Sequence, residues 1–338
     1  MASVPFLAAA IAILAGAALS GGAAAQTISA QAFLDTACNG PPPVGSVTLT
    51  DGSVGTFPST CVITMGAGED LDWGARVKVT LPSSASLTVT TPGTSTEAEI
   101  LVGPGTSLSA KAIDWSTSAD IIVDAGATVA STGAGGVKLV TPTTLSLGGT
   151  ISASGGGGGV FVSAGREILL GPSGSITGNG NVELVATGGL SLQAADVTAD
   201  ATTAVSSTAG LVTLTSTSGN VNVGAGVTVT GGGGVAITAA VEVVLAQTPS
   251  SSPFTTTLAA EDGGDLSVGG GEKTIIEEGV VVTSAGSLTL GAQGGGGGGE
   301  VLIKSRARLT AAGALTLAGG KCTVEPNATT VGNPVTVC

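Results

Sequence analysis

The chain has no histidine and no tyrosine in 338 residues, and its aromatic content is 2%, from five Phe and two Trp. Without His the commonest general base is missing, and Ser-His-Asp, Cys-His and imidazole-metal sites are excluded. So few rings cannot fill a broad globular core. Charge is also scarce, at 10% of residues against about 25% in ordinary domains, so Ser, Thr, Asn and Gly must cover the surface. The 10 basic and 23 acidic residues leave a net charge of −13, which disfavours electrostatic binding to nucleic acid or to an anionic membrane surface.

Basic residues are absent before Arg76. Residues 1–25 hold no charge at all, run through Phe6, Leu7, Ile11, Ile13, Leu14 and Leu19, and end in Ala23-Ala24-Ala25 ahead of Gln26. That pattern is expected of a secretory signal peptide with a small-x-small cleavage site, and implies a secreted or cell-surface protein. The missing Lys or Arg in the leading segment leaves an uncleaved membrane anchor as the alternative.

What the chain does have is repetition. Val137-x-Leu139, five residues, then Leu145-x-Leu147 recurs as Val160-x-Val162 with Ile168-x-Leu170, and as Val182-x-Leu184 with Leu190-x-Leu192. Val235-x-Ile237 with Val243-x-Leu245 is a later copy. Alternate aliphatic residues share one face of a strand, and a five-residue spacer is too short for a helical crossover. Two short strands that bend at a corner and return after about 22 residues must wind as a coil, with equivalent strands pairing in parallel. The expected fold is therefore an all-β, single-stranded right-handed parallel β-helix, or β-solenoid. A meander of antiparallel hairpins is the competing explanation, but the fixed period and the rarity of Asn-Gly and Asp-Gly turns weigh against it.

The expected organisation is a signal peptide at 1–25, an irregular amino-terminal cap at 26–75, a β-helix at 76–321 and a closing segment at 322–338. Within the coil, Pro249, Pro253 and the acidic Gly-rich run that follows suggest a projecting loop at 246–272, since proline is excluded from central strands. Trp115 reads as a cap or loop anchor. The glycine runs at 155–159, 231–234 and 294–299 read as corners, because no Lys and no helix follow them as a phosphate-binding loop requires. Cys38 and Cys61 lie in the cap, Cys322 and Cys338 in the closing segment. An even count behind a signal peptide points to disulfides. Four Cys allow three pairings, and the far-apart ends of a solenoid favour the two local ones.

Carboxylates are the remaining source of chemistry. Asp114, Asp120 and Asp124, with Lys111 nearby, and the pair Asp196 and Asp200 are the candidates for a glycosidase-like or lyase-like site, which needs two carboxyls about 5–9 Å apart. Glu69, Asp70 and Asp72, and Glu261, Asp262 and Asp265, concentrate oxygen ligands of the kind calcium takes. Neither group has the EF-hand spacing, and solvated turns explain both sets. Thr48/Thr50, Thr88/Thr90, Thr213/Thr215 and Thr228/Thr230 do not recur at the repeat period, so they are not expected to form a single ladder. The residues thus assign no catalytic, cofactor or metal site.

The Val-x-Leu-x5-Leu-x-Leu units, with Gly-rich corners and Ser/Thr-rich outer positions, resemble the β-solenoid shafts of bacterial surface proteins such as filamentous haemagglutinin-like adhesins. The resemblance spans about residues 121–317 and concerns architecture and composition. It implies a non-catalytic exported structural or adhesive protein with extracellular glycans or other surface proteins as partners and no cofactor. The alternative is a β-helical lyase or hydrolase acting on polysaccharide through surface carboxylates.

Overall fold

The computed structural model describes residues 25–93, 98–193, 203–246, 255–294, 298–333 and 335–338. The expected signal peptide, Asp196 and Asp200 lie outside the described residues. The described chain is a β-solenoid of about 12 turns at about 24 residues per turn, with every strand pairing parallel and very little helix.

Each turn has three flat faces where the repeat suggests two strands. Face 1 runs from Gln26–Ile28 through strands such as Gly189–Leu192 to Lys321–Val324. Face 2 begins at Val54–Thr56 and includes Thr150–Ala153 and Ser175–Gly178, and face 3 begins at Cys61–Thr64 and includes Val160–Ala164 and Val182–Ala186. Two long strands, Ser107–Ser116 and Thr128–Thr141, pass round the corner from face 2 to face 3.

The unforeseen face 2 is explained by its inward residues. Its second inward position is Ala110, Ser131, Ala153, Gly178, Ser207, Gly231, Ala260, Ser284 and Ala311 in successive turns, all in register. From Ala110 onward the column holds no large side chain, because the chain turns immediately into face 3; only in the turn before does Leu81 fill the equivalent place, buried. A Cβ on Gly178 would come within 2.8 Å of the Val182 side chain. The serines use the same space to bond the corner backbone: Ser207 Oγ donates to Gly180 O at 2.7 Å and accepts from Gly210 N at 2.8 Å. From Ser107 onward, an aliphatic alternation of two large residues is therefore written on faces 1 and 3 only.

Faces 1 and 3 build the core as the repeat predicts. Ile121, Leu145, Ile168, Leu190, Val221 and Val243 stack in register, each with no exposed surface. Turns without insertions keep close to 22 residues, and the longer average has a local origin. Leu190 is opposite Val221, 31 residues on, and that turn contains the undescribed 194–202. Leu71 opposite Ile100 is 29 residues apart and brackets 94–97 in the same way.

The boundaries differ from expectation at both ends and in the middle. Coiling begins at Gln26, not Arg76, because Gln26–Ile28, Val47–Leu49 and Leu71–Asp72 already pair on face 1. The amino-terminal cap is a helix, α1, Ala30–Ala37, which covers the open end with Ala30, Phe33, Leu34 and Ala37 buried. Ser29 caps it by accepting from Ala32 N, and Gly55 permits its close approach, since a Cβ there would lie 2.7 Å from Leu34 Cδ1. Trp115 is a core residue, not a cap or loop anchor: it stacks on Trp73 with centroids 6.2 Å apart, and Trp73 meets Phe33 edge-on at 6.2 Å. Of the loop expected at 246–272, Thr257–Ala260 and Asp265–Gly270 are regular strands of faces 2 and 3, because their Leu-x-Ala and Leu-x-Val patterns complete the coil. The carboxy-terminal segment forms a last turn, Lys321–Val324, Thr329–Val331 and Val335–Val337. Both local disulfides are present: Cys38–Cys61 ties α1 to face 3, and Cys322–Cys338 closes the last turn.

Candidate functional site

The carboxylates fall into the stacked positions of the coil. Asp70, Glu99 and Asp120 each directly precede a face 1 strand, so the register of Leu71, Ile100 and Ile121 places them one above another. Neighbouring turns are about 4.8 Å apart. Burial, followed by the charges of Asp70, Asp120, Asp72 and Asp124, pushes the Glu99 carboxyl above its ordinary 4.5. The flanking acids are spent on backbone. Asp70 Oδ1 accepts from Glu99 N at 2.9 Å and Asp120 Oδ1 from Thr144 N at 3.0 Å, each tying one turn to the next.

The three aspartates weighed as a catalytic set do not share a cleft. Asp114 points outward from face 3 and pairs with Lys138 at 3.6 Å, not with Lys111. Asp120 directly precedes the Ile121–Val123 strand on face 1 and Asp124 follows it, which separates the last two by roughly 13 Å of extended chain. The possible calcium ligands likewise serve the coil. Asp72 Oδ1 accepts from Gly74 N at 2.7 Å, and Asp265 Oδ1 from Ser287 N at 2.7 Å. Glu69 lies 3.5 Å from Ser46 Oγ, while Glu261 and Asp262 occupy an exposed corner. Among the described residues, no group of three acidic or Cys side chains is placed to hold a metal ion.

At the other end of face 1 the charges alternate. Lys273, Glu300 and Lys321 stack in register, with Glu300 bonded to Lys321 at 2.7 Å and 3.3 Å from Lys273. The Lys321 hydrogen bond, then that of Lys273, holds the Glu300 carboxyl below 4.5. The four Thr pairs are dispersed, as expected. Thr48/Thr50 belong to face 1, Thr228/Thr230 to face 2, and Thr88/Thr90 and Thr213/Thr215 to face 3. On face 3 the last two pairs are separated by Asp114, Lys138, Phe161 and Glu183 in the same column.

Sequence reasoning did not single out a groove on face 3 near the carboxy-terminal end. It encloses about 420 Å³ and is bordered by Thr238, Ser267, Gly269, Thr289, Gly291 and Gln293, with Ala318 at its far end. Its signal in the sequence is faint: glycine follows Leu266-x-Val268 and Leu288-x-Leu290, where earlier repeats carry Thr, Ser or Val.

No protein-family model, curated protein or solved structure matches the chain. Fold and surface chemistry are therefore the basis for a functional reading.

Proposed function

We propose that the chain is an exported, non-catalytic structural or adhesive surface protein, akin to the shafts of filamentous haemagglutinin-like adhesins. The observation that carries this reading is the continuous coil of about 12 turns, tied by a disulfide at each end. Such a coil is a stiff element whose neighbouring turns share one core. Its disulfides suit an oxidising compartment. Face 2 supports a contact role, since its outward strand positions from Ser107 to Ala259 are only Ser, Thr and Ala. Extracellular glycans or other surface proteins are the partners that suit such an uncharged polar surface.

The test is a glycan array probed with the purified chain, run beside digestion assays on pectin and alginate. Retention of at least one glycan class, without release of unsaturated or reducing ends, is the expected result. Release above a heat-killed control would overturn the non-catalytic reading, and a blank array would overturn glycan adhesion.

A further inference from the structure

One outward column of face 3 changes character along the coil. In register it reads Thr90, Ser116, Val140, Ser163, Val185, Thr215 and Thr238, and then Gly269, Gly291 and Ala318. Glycine within a strand weakens it unless a bulge, a positive φ or a close approach requires it. None of the local reasons applies to Gly269 or Gly291. Both have ordinary strand register on each side, and neither is among the positive-φ glycines. A Cβ on Gly269 would have nothing within 4 Å, and one on Gly291 would have only Ala318 O at 3.8 Å. Other glycines differ sharply: a Cβ on Gly270, the next residue, would sit 1.9 Å from Lys273 O. The space left by the two missing side chains is the groove.

We propose that this groove is a binding subsite for a neutral glycan chain. The inference rests on the adhesive reading and deepens it by giving the contact a place and a ligand class. The floor consists of the glycine backbone and the Ala318 methyl, which is flat and apolar enough for the C–H face of a sugar ring. Hydroxyls of Thr238, Ser267 and Thr289 and the amide of Gln293 border it, and can bond ring hydroxyls as donors or acceptors. No charged residue lines it, so an anionic polymer would find no counter-ion on a protein of net charge −13. A peptide adding as a strand is disfavoured, because such addition needs a free sheet edge and these strands are paired on both sides. The lining spans four turns, or about 14 Å along the axis, which suits a chain better than a single sugar.

The test fills the groove without disturbing the coil. Gly269→Val and Gly291→Val place valine in a column that already carries it at Val140 and Val185, and β-branching favours strands. The double variant should therefore melt no lower than the parent. Saturation-transfer NMR and calorimetric titration would use cellohexaose, mannohexaose and xylohexaose, with hexagalacturonate as the anionic comparison. At least one neutral hexamer should bind the parent, hexagalacturonate should not, and the double variant should lose affinity by about tenfold or more. Binding that survives the filling would reject the groove, as would failure of all three neutral hexamers. Glycan-array signals that persist in the double variant would keep the adhesive reading while rejecting this site. A blank array would remove this site and glycan adhesion together.

Discussion

Leu190 and Ser191 show how the coil treats adjacent residues. Leu190 has no exposed surface and stacks between Ile168 and Val221, whereas Ser191 faces outward and is half-buried. Leu190→Asp would place a carboxylate where water cannot reach it, and should destabilise by several kcal/mol, about 3 or more. Ser191→Asp should stay within about 0.5 kcal/mol. Equal melting temperatures for the two variants would contradict the inward register. Glu99 and Glu300 make a second contrast, with opposite signs. Glu99 has its folded pKa raised by burial and by its acidic neighbours, so folding favours its protonated form. That favourable term is fully present below the unfolded value, near 4.5, and is lost as pH rises through the folded one. Glu300 has its pKa lowered by Lys321 and Lys273. Its contribution is present above 4.5 and lost as pH falls through the folded value. At pH 7, Glu99→Gln should raise the melting temperature and Glu300→Gln should lower it, and both differences should shrink in acid. The same sign for both substitutions at pH 7 would refute the electrostatic account.

Among the elements, α1 and its disulfide have the clearest separable role. Phe33 from α1 meets Trp73, and Trp73 stacks on Trp115, so the helix, the first turns and both tryptophans share one packed cluster. Cys38–Cys61 joins the end of that helix to the strand beneath it across a separation of 23 residues. Replacing both cysteines with Ser should cost about 3 kcal/mol on the chain-entropy account. Denaturant unfolding followed by tryptophan fluorescence would read the loss directly, because both indoles have no exposed surface. An unchanged midpoint would mean that packing alone holds the cap. The sequence indicated this region as a cap by its irregular pattern and its cysteines. The strands inside it were harder to read, since Val47–Leu49, Val54–Thr56 and Leu71–Asp72 offer only two or three residues each, too few for alternation to be distinguished from chance.

Across the whole molecule, stability should spread from turn to turn, since each turn packs on its two neighbours. Ile168 and Leu190 are adjacent in one inward column, while Leu145 and Val243 of the same column are four turns apart. Alanine substitutions at Ile168 and Leu190 should be non-additive by about 0.5 kcal/mol or more, and those at Leu145 and Val243 should add. Strict additivity for the adjacent pair, measured by denaturant unfolding, would remove the stacked-coil description. By itself the sequence determined the parallel coil and the local pairing of Cys38 with Cys61 and Cys322 with Cys338. Aliphatic alternation at a short, fixed period admits few other windings, and an extended coil keeps its two ends apart. Only the tertiary structure decided the third face, the stack of Asp70, Glu99 and Asp120, and the groove over Gly269 and Gly291. From Ala110 onward, face 2 hides from a hydrophobic reading because its corner holds only Gly, Ala and Ser. The stack and the groove depend on which residues of different turns lie side by side, and that register is set by turn lengths ranging from about 22 residues to the 31 between Leu190 and Val221. Linear spacing cannot separate an inserted loop from a longer rung, whereas hydrogen bonding between neighbouring strands fixes the alignment residue by residue.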